Sequence, residues 1–160
     1  MALKQVIEIY ELLDSSRANG ERVASLLRQR GIHDAEGVPI RGEKGKTDSI
    51  KVRIPGSKGK KTGGSAPTLG IIGRLGGVGA RPQMIGLVSD ADGAIAALSI
   101  ALKLADMKDQ GDVLPGDVIV ATHICPDAPT IPHDPVPFMG SPVEMKSLND
   151  HEVDPQMDAI

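Results

Sequence analysis

The sequence predicts an α/β fold in which helices pack on a mixed sheet, and three observations indicate this class. Apolar residues near the N-terminus recur at helical spacing. Several short apolar runs bounded by glycine are typical of buried strands, and a long apolar segment lies between two of them. Strand, helix and strand with short links form a βαβ unit with parallel strands. The chain has 160 residues, enough for one core, so we expect residues 1–160 to form a single α/β domain.

Two amphipathic helices are predicted at the N-terminus. Leucine, valine, isoleucine and tyrosine side chains recur every three or four residues from Ala2 to Leu13, which predicts a helix over that range. The stretch "DSSRANGE" interrupts the pattern. A second helix is predicted from about Glu21 to Arg30, with Gly31 as its C-terminal stop.

The strands are predicted from shorter patterns. "SIKVRIPG" alternates apolar and basic residues, which indicates a strand exposed on one side, whereas "TLGIIG", "MIGLVS" and "DVIVAT" look like buried strands. Residues Gly93–Met107 are long enough for a helix, and apolar residues cover most of its circumference. We therefore expect this helix to lie between two layers, with "MIGLVS" before it and "DVIVAT" after it in the βαβ unit.

Composition narrows the range of partners. Tyr10 and Phe138 are the only aromatic residues, so the core must be aliphatic, and the stacking platforms typical of single-stranded nucleic-acid binding are missing. The net charge of −3 gives no reason to expect a polyanionic partner. Residues 41–61 are mainly basic and the C-terminal segment is acidic. The basic stretch favours a solvated hairpin over a phosphate-binding patch.

Cysteine content and the N-terminus indicate the compartment. Cys125 is the single cysteine, which excludes an internal disulfide and suits a reducing cytoplasm. The N-terminal stretch "MALKQVIEIYELL" carries charges within its apolar pattern, so it resembles neither a signal peptide nor a membrane span. We expect a cytoplasmic protein without a membrane partner.

The glycine-rich stretches do not predict a nucleotide site. In "GIIGRLGGVGARP" a dinucleotide fingerprint requires a helix to begin directly after the strand, and Arg81-Pro82 opposes one. "GSKGKKT" lacks the spacing of a phosphate-binding loop. We therefore expect no nucleotide cofactor. Arg74, within the first stretch, is a cation that we expect to hold a substrate carboxylate.

Residues 125–142 contain half of the prolines, so we predict a loop without helix or central strand, which acts as a cover or a linker. The chain then ends at "HEVDPQMDAI" without a stop signal. Two expectations remain open here. Residues 1–160 are either a complete domain or the N-terminal part of a longer protein.

Polar side chains follow two strands of the predicted βαβ unit. Asp90 and Asp92 come just after one strand, and His123, Cys125 and Asp127 come just after the next. Neighbouring strand ends lie about 5 Å apart, and ligands of open α/β sheets bind at the carboxyl ends of the strands. We therefore expect these groups to share one edge of the sheet.

Carboxylate and imidazole groups together suit a divalent metal such as zinc, and His133 of the proline-rich loop can fold back to join them. A metal-bound water with its pKa lowered to about 7 would then be the nucleophile. Asp127 and His123 are the candidates for the catalytic base. The predicted metal ligands are Asp90, Asp92, His123 and His133.

Other interpretations stay open at these positions. An aspartate at a helix N-cap stabilises by about 1 kcal/mol without any metal, and Ser89, Asp90 or Asp92 can fill that role. His123 is equally well explained as a partly buried histidine bonded to backbone. Cys125, two residues after His123, is a candidate thiol nucleophile, although Pro126 follows it directly.

The chain resembles an uncharacterised prokaryotic family, DUF1177, along nearly its whole length. The motifs that carry the resemblance are "GIIGRLGGVGARP", "LVSDADGAIAALSIALKLADM", "LPGDVIVATHICPDAP" and "PHDPVPFMGSPV". Members of that family are considerably longer, and the family name implies no activity.

The order of elements is also similar, more distantly, to zinc-dependent aminopeptidases. In those enzymes a metal-bridging aspartate precedes a glycine at a helix start and an Ala-Ala pair, a spacing matched by Asp90, Gly93 and Ala96-Ala97. The resemblance implies a bridging role for Asp90. The chain departs from the pattern where a metal-binding His is expected, which reads Arg74-Leu75-Gly76, and in the missing acidic pair after "VIVAT", where His123 or Asp127 would serve.

Two functions follow as expectations. The first is a metal-dependent hydrolase of amide or peptide-like bonds on an aminopeptidase-like scaffold, acting on a small molecule or short peptide. The second is a non-catalytic small-molecule-binding or regulatory protein that keeps the scaffold without the full metal site. Exposed strand edges favour a homo-oligomer in either case.

Overall fold

The fold consists of helices on both faces of a mixed four-stranded sheet. The computed structural model describes residues 2–74, 76–80, 84–87 and 90–160, with the backbone alone for residues 80, 84 and 85. The elements in chain order are α1 (Leu3–Leu13), α2 (Gly20–Gln29), β1 (Ala35–Gly42), β2 (Gly45–Ile54), β3 (Leu69–Gly73), β4 (Gly79–Ala80), β5 (Met84–Ile85), α3 (Asp92–Asp109), β6 (Val118–Ile124), β7 (Thr130–Ile131), β8 (Phe138–Met139) and α4 (Met145–Glu152).

The main sheet has the order β1-β2-β6-β3. Strand β1 is antiparallel to β2 and β2 is antiparallel to β6, whereas β3 runs parallel to β6. The parallel pair is joined through α3, so β3, α3 and β6 form a βαβ unit, although its first strand is not the predicted one. The predicted class of a mixed sheet with helices packed on it is confirmed.

The main core lies between the sheet and the first three helices. It combines alternate residues of β2 and β6 with one side of α3 and with apolar residues of α1 and α2. Helix α3 contacts β3, β6 and α1, which confirms that it lies between two layers. Its fully buried positions include Ala94, Leu98, Ala101 and Leu102.

The opposite face of the sheet is covered by α4 and the residues after it. Successive strand residues point to opposite faces, so His123 and Ala121 of β6 lie beside Ser49 and Lys51 of β2 on this second face. Helix α4 contacts both strands. Near the C-terminus, Ala159 forms a parallel bridge with Leu69. A second layer therefore covers the polar side of β2.

The helix boundaries agree with the periodic patterns. Asn19 caps α2 by accepting a hydrogen bond from the Arg22 N–H at 2.8 Å, and Gly31 has the left-handed φ of 82° expected of a C-terminal stop. The apolar periods predicted the bounds of these helices well. The predicted buried side of α1 is wrong, however, because its buried residues are Gln5, Ile9 and Leu13. The other members of the apolar pattern are exposed, namely Leu3, Val6, Ile7 and Tyr10.

One predicted strand is wrong. Of the stretch "MIGLVS", the structure describes residues 84–87, and only Met84–Ile85 form a strand, which pairs with β4 in a separate two-stranded sheet. Val88 and Ser89 lie outside the described residues. The strand that precedes α3 in the parallel pair is therefore β3. Both "TLGIIG" and "MIGLVS" fit the pattern of a short buried strand. Only the pairing of strands in the folded chain shows which of them joins the main sheet.

The predicted solvated character of the basic stretch is wrong for two of its residues. Lys51 and Arg53 point to the second face, where both contact Asp154 at 3.3 and 3.5 Å. Lys60 similarly pairs with Asp158 at 2.6 Å. The acidic C-terminal segment thus neutralises part of the basic stretch, a pairing that separate charge counts do not predict.

Residues 125–142 contain no helix, and their only strands are the two-residue pairs β7 and β8. The prediction of a loop without a central strand is confirmed. Across the described part of the chain, no helix combines the length and apolar character that crossing a bilayer requires.

Candidate functional site

A cavity of about 240 Å³ lies at the carboxyl end of β6, between α4 and the proline-rich segment. Its walls are mainly apolar and include Phe138, Met139, Val143, Met145 and Leu148. Its polar lining residues are Thr47, Asp90, His123, Cys125 and Ser141. The cavity is at the edge of the sheet where the βαβ unit predicts a ligand.

His123 is held by a buried carboxylate. Its Nδ1 lies 2.6 Å from Oε1 of Glu152, and the Glu152 side chain is completely buried. The second carboxylate oxygen accepts a hydrogen bond from Nε of Arg74, and Nη2 of Arg74 donates to Oδ1 of Asn149 at 2.6 Å. One carboxylate therefore joins an imidazole and a guanidinium.

The spacing of α4 explains how Glu152 reaches the sheet. Leu148 and Glu152 are four residues apart and are the buried positions of α4, so they lie on one face of the helix. Leu148 contributes to the cavity wall. Packing of this face on β2 and β6 brings the carboxylate beneath His123 and orients the imidazole ring. Because an ionised carboxylate only accepts hydrogen bonds, Nδ1 carries the proton.

The thiol of Cys125 is a buried, neutral group. Burial raises the pKa of Cys125 to about 11, and hydrogen bonding with the Thr47 side chain and the Asp127 backbone only partly opposes this. The sulfur lies 3.7 Å from the carbonyl oxygen of Lys46. Since the thiolate is the reactive form of cysteine, this environment disfavours the thiol-nucleophile interpretation.

Close backbone packing at two glycines shapes this edge of the sheet. A Cβ on Gly76 would lie 1.8 Å from the carbonyl oxygen of His123, and a Cβ on Gly93 would lie 1.8 Å from that of Arg74. The Cys125 N–H donates to the Gly76 carbonyl at 2.7 Å. The glycines therefore serve close approach rather than a nucleotide fingerprint, and no helix begins in the described residues between Gly73 and Asp90.

The structure brings two of the predicted site residues together. Asp90 and His123 line the same cavity. Asp92 is the exposed first residue of α3, while Asp127 and His133 are exposed residues of the proline-rich segment. None of these last three is among the residues that line the cavity.

The predicted metal ligands do not form a compact group. Within residues 2–74, 76–80, 84–87 and 90–160, no three His, Cys, Asp or Glu side chains are close enough to hold a metal ion. The metal site and the catalytic roles of Asp127 and His123 stay predictions.

The capping interpretation also differs from the structure. The N-cap of α3 is Ala91, and no side chain of the described residues makes a capping hydrogen bond there. Asp92 lies in the first turn of α3, where its negative charge interacts favourably with the helix dipole without making a capping hydrogen bond. Ser89 lies outside the described residues, as do Arg81 and Pro82.

Arg74 has a different environment from the predicted one. Its guanidinium contacts Glu152 and Asn149 of α4, and it is not among the cavity lining residues. A role in binding a substrate carboxylate stays a prediction, whereas its contacts favour a role in holding Glu152.

Sequence reasoning missed Glu152 and Asn149 entirely. The available signal was the spacing of Leu148 and Glu152 in "LNDHE", which places an acid on the apolar side of a short helix. A single glutamate in an acidic segment is more often exposed to solvent, so the spacing alone gave no reason to predict that Glu152 is buried.

Comparison with known proteins identifies the family of the chain but indicates no activity. No functionally curated protein matches the chain. Residues 39–160 match DUF1177, a family described as a protein of unknown function. This match covers most of the chain, including β2, the βαβ unit, the cavity and Glu152. The chain therefore belongs to the DUF1177 family.

Proposed function

We propose that the chain binds a small molecule in the cavity at the carboxyl end of β6. Apolar walls with a few converging polar groups are the usual composition of ligand sites. The volume of about 240 Å³ lies just below the range of about 300–1,000 Å³ typical of drug-sized ligands. The ligand is accordingly small.

The observation that carries this proposal is the support of His123 by Glu152. Burying a carboxylate costs several kcal/mol unless its charge and oxygens are paired. Here both oxygens are used, one by His123 and one by Arg74. The pairing holds the imidazole in one orientation beside the cavity, and such preorganisation lowers the entropic cost of binding a ligand.

Binding can be tested with benzyl alcohol as the probe and the methyl NMR signals of Met139 and Met145 as the readout. We expect saturable shifts of both signals, because both side chains line the cavity. Ser141→Phe places a ring at the exposed edge of the cavity and should abolish the shifts.

Ser57→Phe is the matched control. Ser57 is exposed, lies outside the cavity lining, and like Ser141 donates its hydroxyl to a backbone carbonyl. This variant should bind benzyl alcohol as the unmodified chain does. Equal shifts in both variants, or no saturable shift at all, would exclude the cavity as a binding site.

A second candidate is the metal-dependent hydrolase on an aminopeptidase-like scaffold. One observation favours it, because Asp90 and His123 share the cavity and a carboxylate bonded to Nδ1 is usual behind a metal-binding histidine. Catalytic zinc sites take three protein ligands, and the described residues offer no such group. The donor set therefore does not fit, and we derive no reaction step from it.

Metal content measured on protein purified without chelator tests this candidate. Near-stoichiometric zinc or manganese that Asp90→Ala removes would support it. Metal-free protein whose thermal stability is unchanged by chelator favours the binding protein.

A further inference from the structure

The side-chain hydrogens around the cavity are already used within the protein. The Thr47 hydroxyl donates to the carbonyl of Ile124 at 2.9 Å, and the Ser141 hydroxyl donates to the carbonyl of Val143 at 2.6 Å. His123 directs its Nδ1–H to Glu152. A hydroxyl has one hydrogen to donate, and an imidazole whose only proton is on Nδ1 offers a lone pair on Nε2. These three side chains therefore present lone pairs to a ligand.

Three backbone N–H groups around the cavity, those of Gly77, Cys125 and Gly140, are engaged in the same way. Gly77 donates to the carbonyl of Asp90 at 3.0 Å, Cys125 to that of Gly76 at 2.7 Å, and Gly140 to that of Pro129 at 2.9 Å. These bonds close the turns that shape the cavity. Their N–H groups are therefore not available to an acceptor on a ligand.

The charge at the cavity also favours a ligand that donates hydrogen bonds. Asp90 is an exposed lining residue, and its carboxylate makes no ion pair with another described residue. No lysine or arginine is among the described residues that line the cavity. An anionic ligand would approach the Asp90 carboxylate, and like-charge contacts oppose binding.

We infer that the ligand is a hydrogen-bond donor, namely a small apolar primary amine in its ammonium form; this rests on the proposed binding function. An ammonium group has three N–H donors and no acceptor, which complements Nε2 of His123 and the carboxylate of Asp90. Charge-assisted bonds to a carboxylate are about twice as strong as neutral ones. The apolar body of the amine packs against Phe138 and Met139.

Probes of one size separate this inference from the binding function itself. Benzylamine, benzyl alcohol and benzoate have the same ring and differ in charge and hydrogen-bonding group. With the full chain near pH 7.5, we expect benzylamine to bind at least about ten times more tightly than benzoate, by titration of the Met139 and Met145 methyl signals. Binding of benzoate as tight as that of benzylamine, with all probes displaced by Ser141→Phe, would overturn the ammonium preference and leave the binding function standing.

Asp90→Asn and Asp92→Asn form a matched pair for the charge contribution. Both remove one negative charge within the same turn of chain, but only Asp90 lines the cavity. We expect Asp90→Asn to weaken benzylamine binding about tenfold and to leave benzyl alcohol binding unchanged, while Asp92→Asn changes neither. An equal loss of benzylamine affinity in the two variants would mean that the amine is attracted by the negative charge of the surface as a whole. That result would overturn the inference. Absence of saturable binding by any probe would remove the binding function together with the inference.

Discussion

The carboxylate of Glu152 accepts a hydrogen bond from Nδ1 of His123 at 2.6 Å, across the contact between α4 and β6. Glu152 is completely buried and His123 nearly so. The two residues are 29 positions apart, so their contact depends on how α4 packs on the sheet. The same carboxylate holds Arg74, and α4 thereby joins the ends of β3 and β6.

Removal of this carboxylate should destabilise the fold strongly. Glu152→Ala leaves the N–H groups of His123 and Arg74 without their acceptor, and breaking a buried pair costs about 3–5 kcal/mol. We expect a loss of about 3 kcal/mol in the free energy of unfolding, measured by urea denaturation. Glu152→Gln should recover only part of it, because the amide NH₂ must face one of the two donors.

Asp150→Ala is the control for this prediction. Asp150 lies on the exposed side of α4 and, among the described residues, pairs with Lys146 alone, at 2.7 Å. Because this pair is exposed to solvent, its loss should change the stability little. Loss of stability in Asp150→Ala equal to that in Glu152→Ala would show that helix α4, and not the buried carboxylate, is the sensitive element.

The Cys125 thiol should react slowly. Its pKa is raised to about 11 by burial, so at pH 8 the thiolate fraction is about 100 times smaller than at the ordinary pKa of 9.0. We expect alkylation by iodoacetamide to be at least about 100 times slower in the folded chain than in urea. The chain has no second cysteine, so the measured rate belongs to this residue; similar rates in both states would contradict the buried, neutral thiol.

Acid should weaken the attachment of the C-terminal segment. Burial by itself would raise the pKa of Asp154, but the Gln156 N–H and the charges of Lys51 and Arg53 outweigh it and hold this pKa below the ordinary 3.8. The pKa of Asp158 is lowered by Lys60 and the Thr68 N–H. A carboxyl with a lowered folded pKa stabilises fully above the unfolded pKa, and this contribution is lost as the pH falls through the folded pKa.

We therefore expect the melting temperature to fall with pH below about 4, and to fall less steeply in Asp154→Asn, which has already lost that contribution. The exposed residue Asp109 at the end of α3 supplies the control Asp109→Asn, whose acid profile should follow that of the unmodified chain. Identical profiles for all three proteins, measured by calorimetry, would contradict a role for the Asp154 contacts.

Gly93→Ala should disrupt the start of α3. Its Cβ would lie between 1.8 and 2.3 Å from three backbone atoms of Arg74, which a rigid strand end cannot relieve by a side-chain rotation. We expect a loss of stability well above the roughly 1–2 kcal/mol that the left-handed conformation costs a residue other than glycine, measured by urea denaturation. Gly111→Ala is the comparison, because Gly111 has a φ of 81° and open space around it; an equal loss in the two variants would rule out the close approach as the cause.

Two features of the site show how far sequence reasoning reaches. The placement of Asp90 and His123 at one edge follows from the βαβ unit, because the parallel strands β3 and β6 present their carboxyl ends together. The two residues lie at the same edge although the strand that precedes α3 in the unit is β3 and not the predicted "MIGLVS". By contrast, the neighbours of Arg74 were not predictable, since its contacts come from α4, more than 70 positions along the chain.

The amino-acid sequence by itself determined the amphipathic helices, the strands β3 and β6 and the irregular proline-rich segment, because each depends on local periodicity or on the restricted backbone of proline. Tertiary structure alone decided that Glu152 supports His123, that Asp154 neutralises Lys51 and Arg53, and that Asp92 and His133 stay outside the cavity. These outcomes depend on which face of the sheet α4 and the C-terminal segment cover. Side chains distant in sequence meet only through that packing, so their pairing has no local pattern.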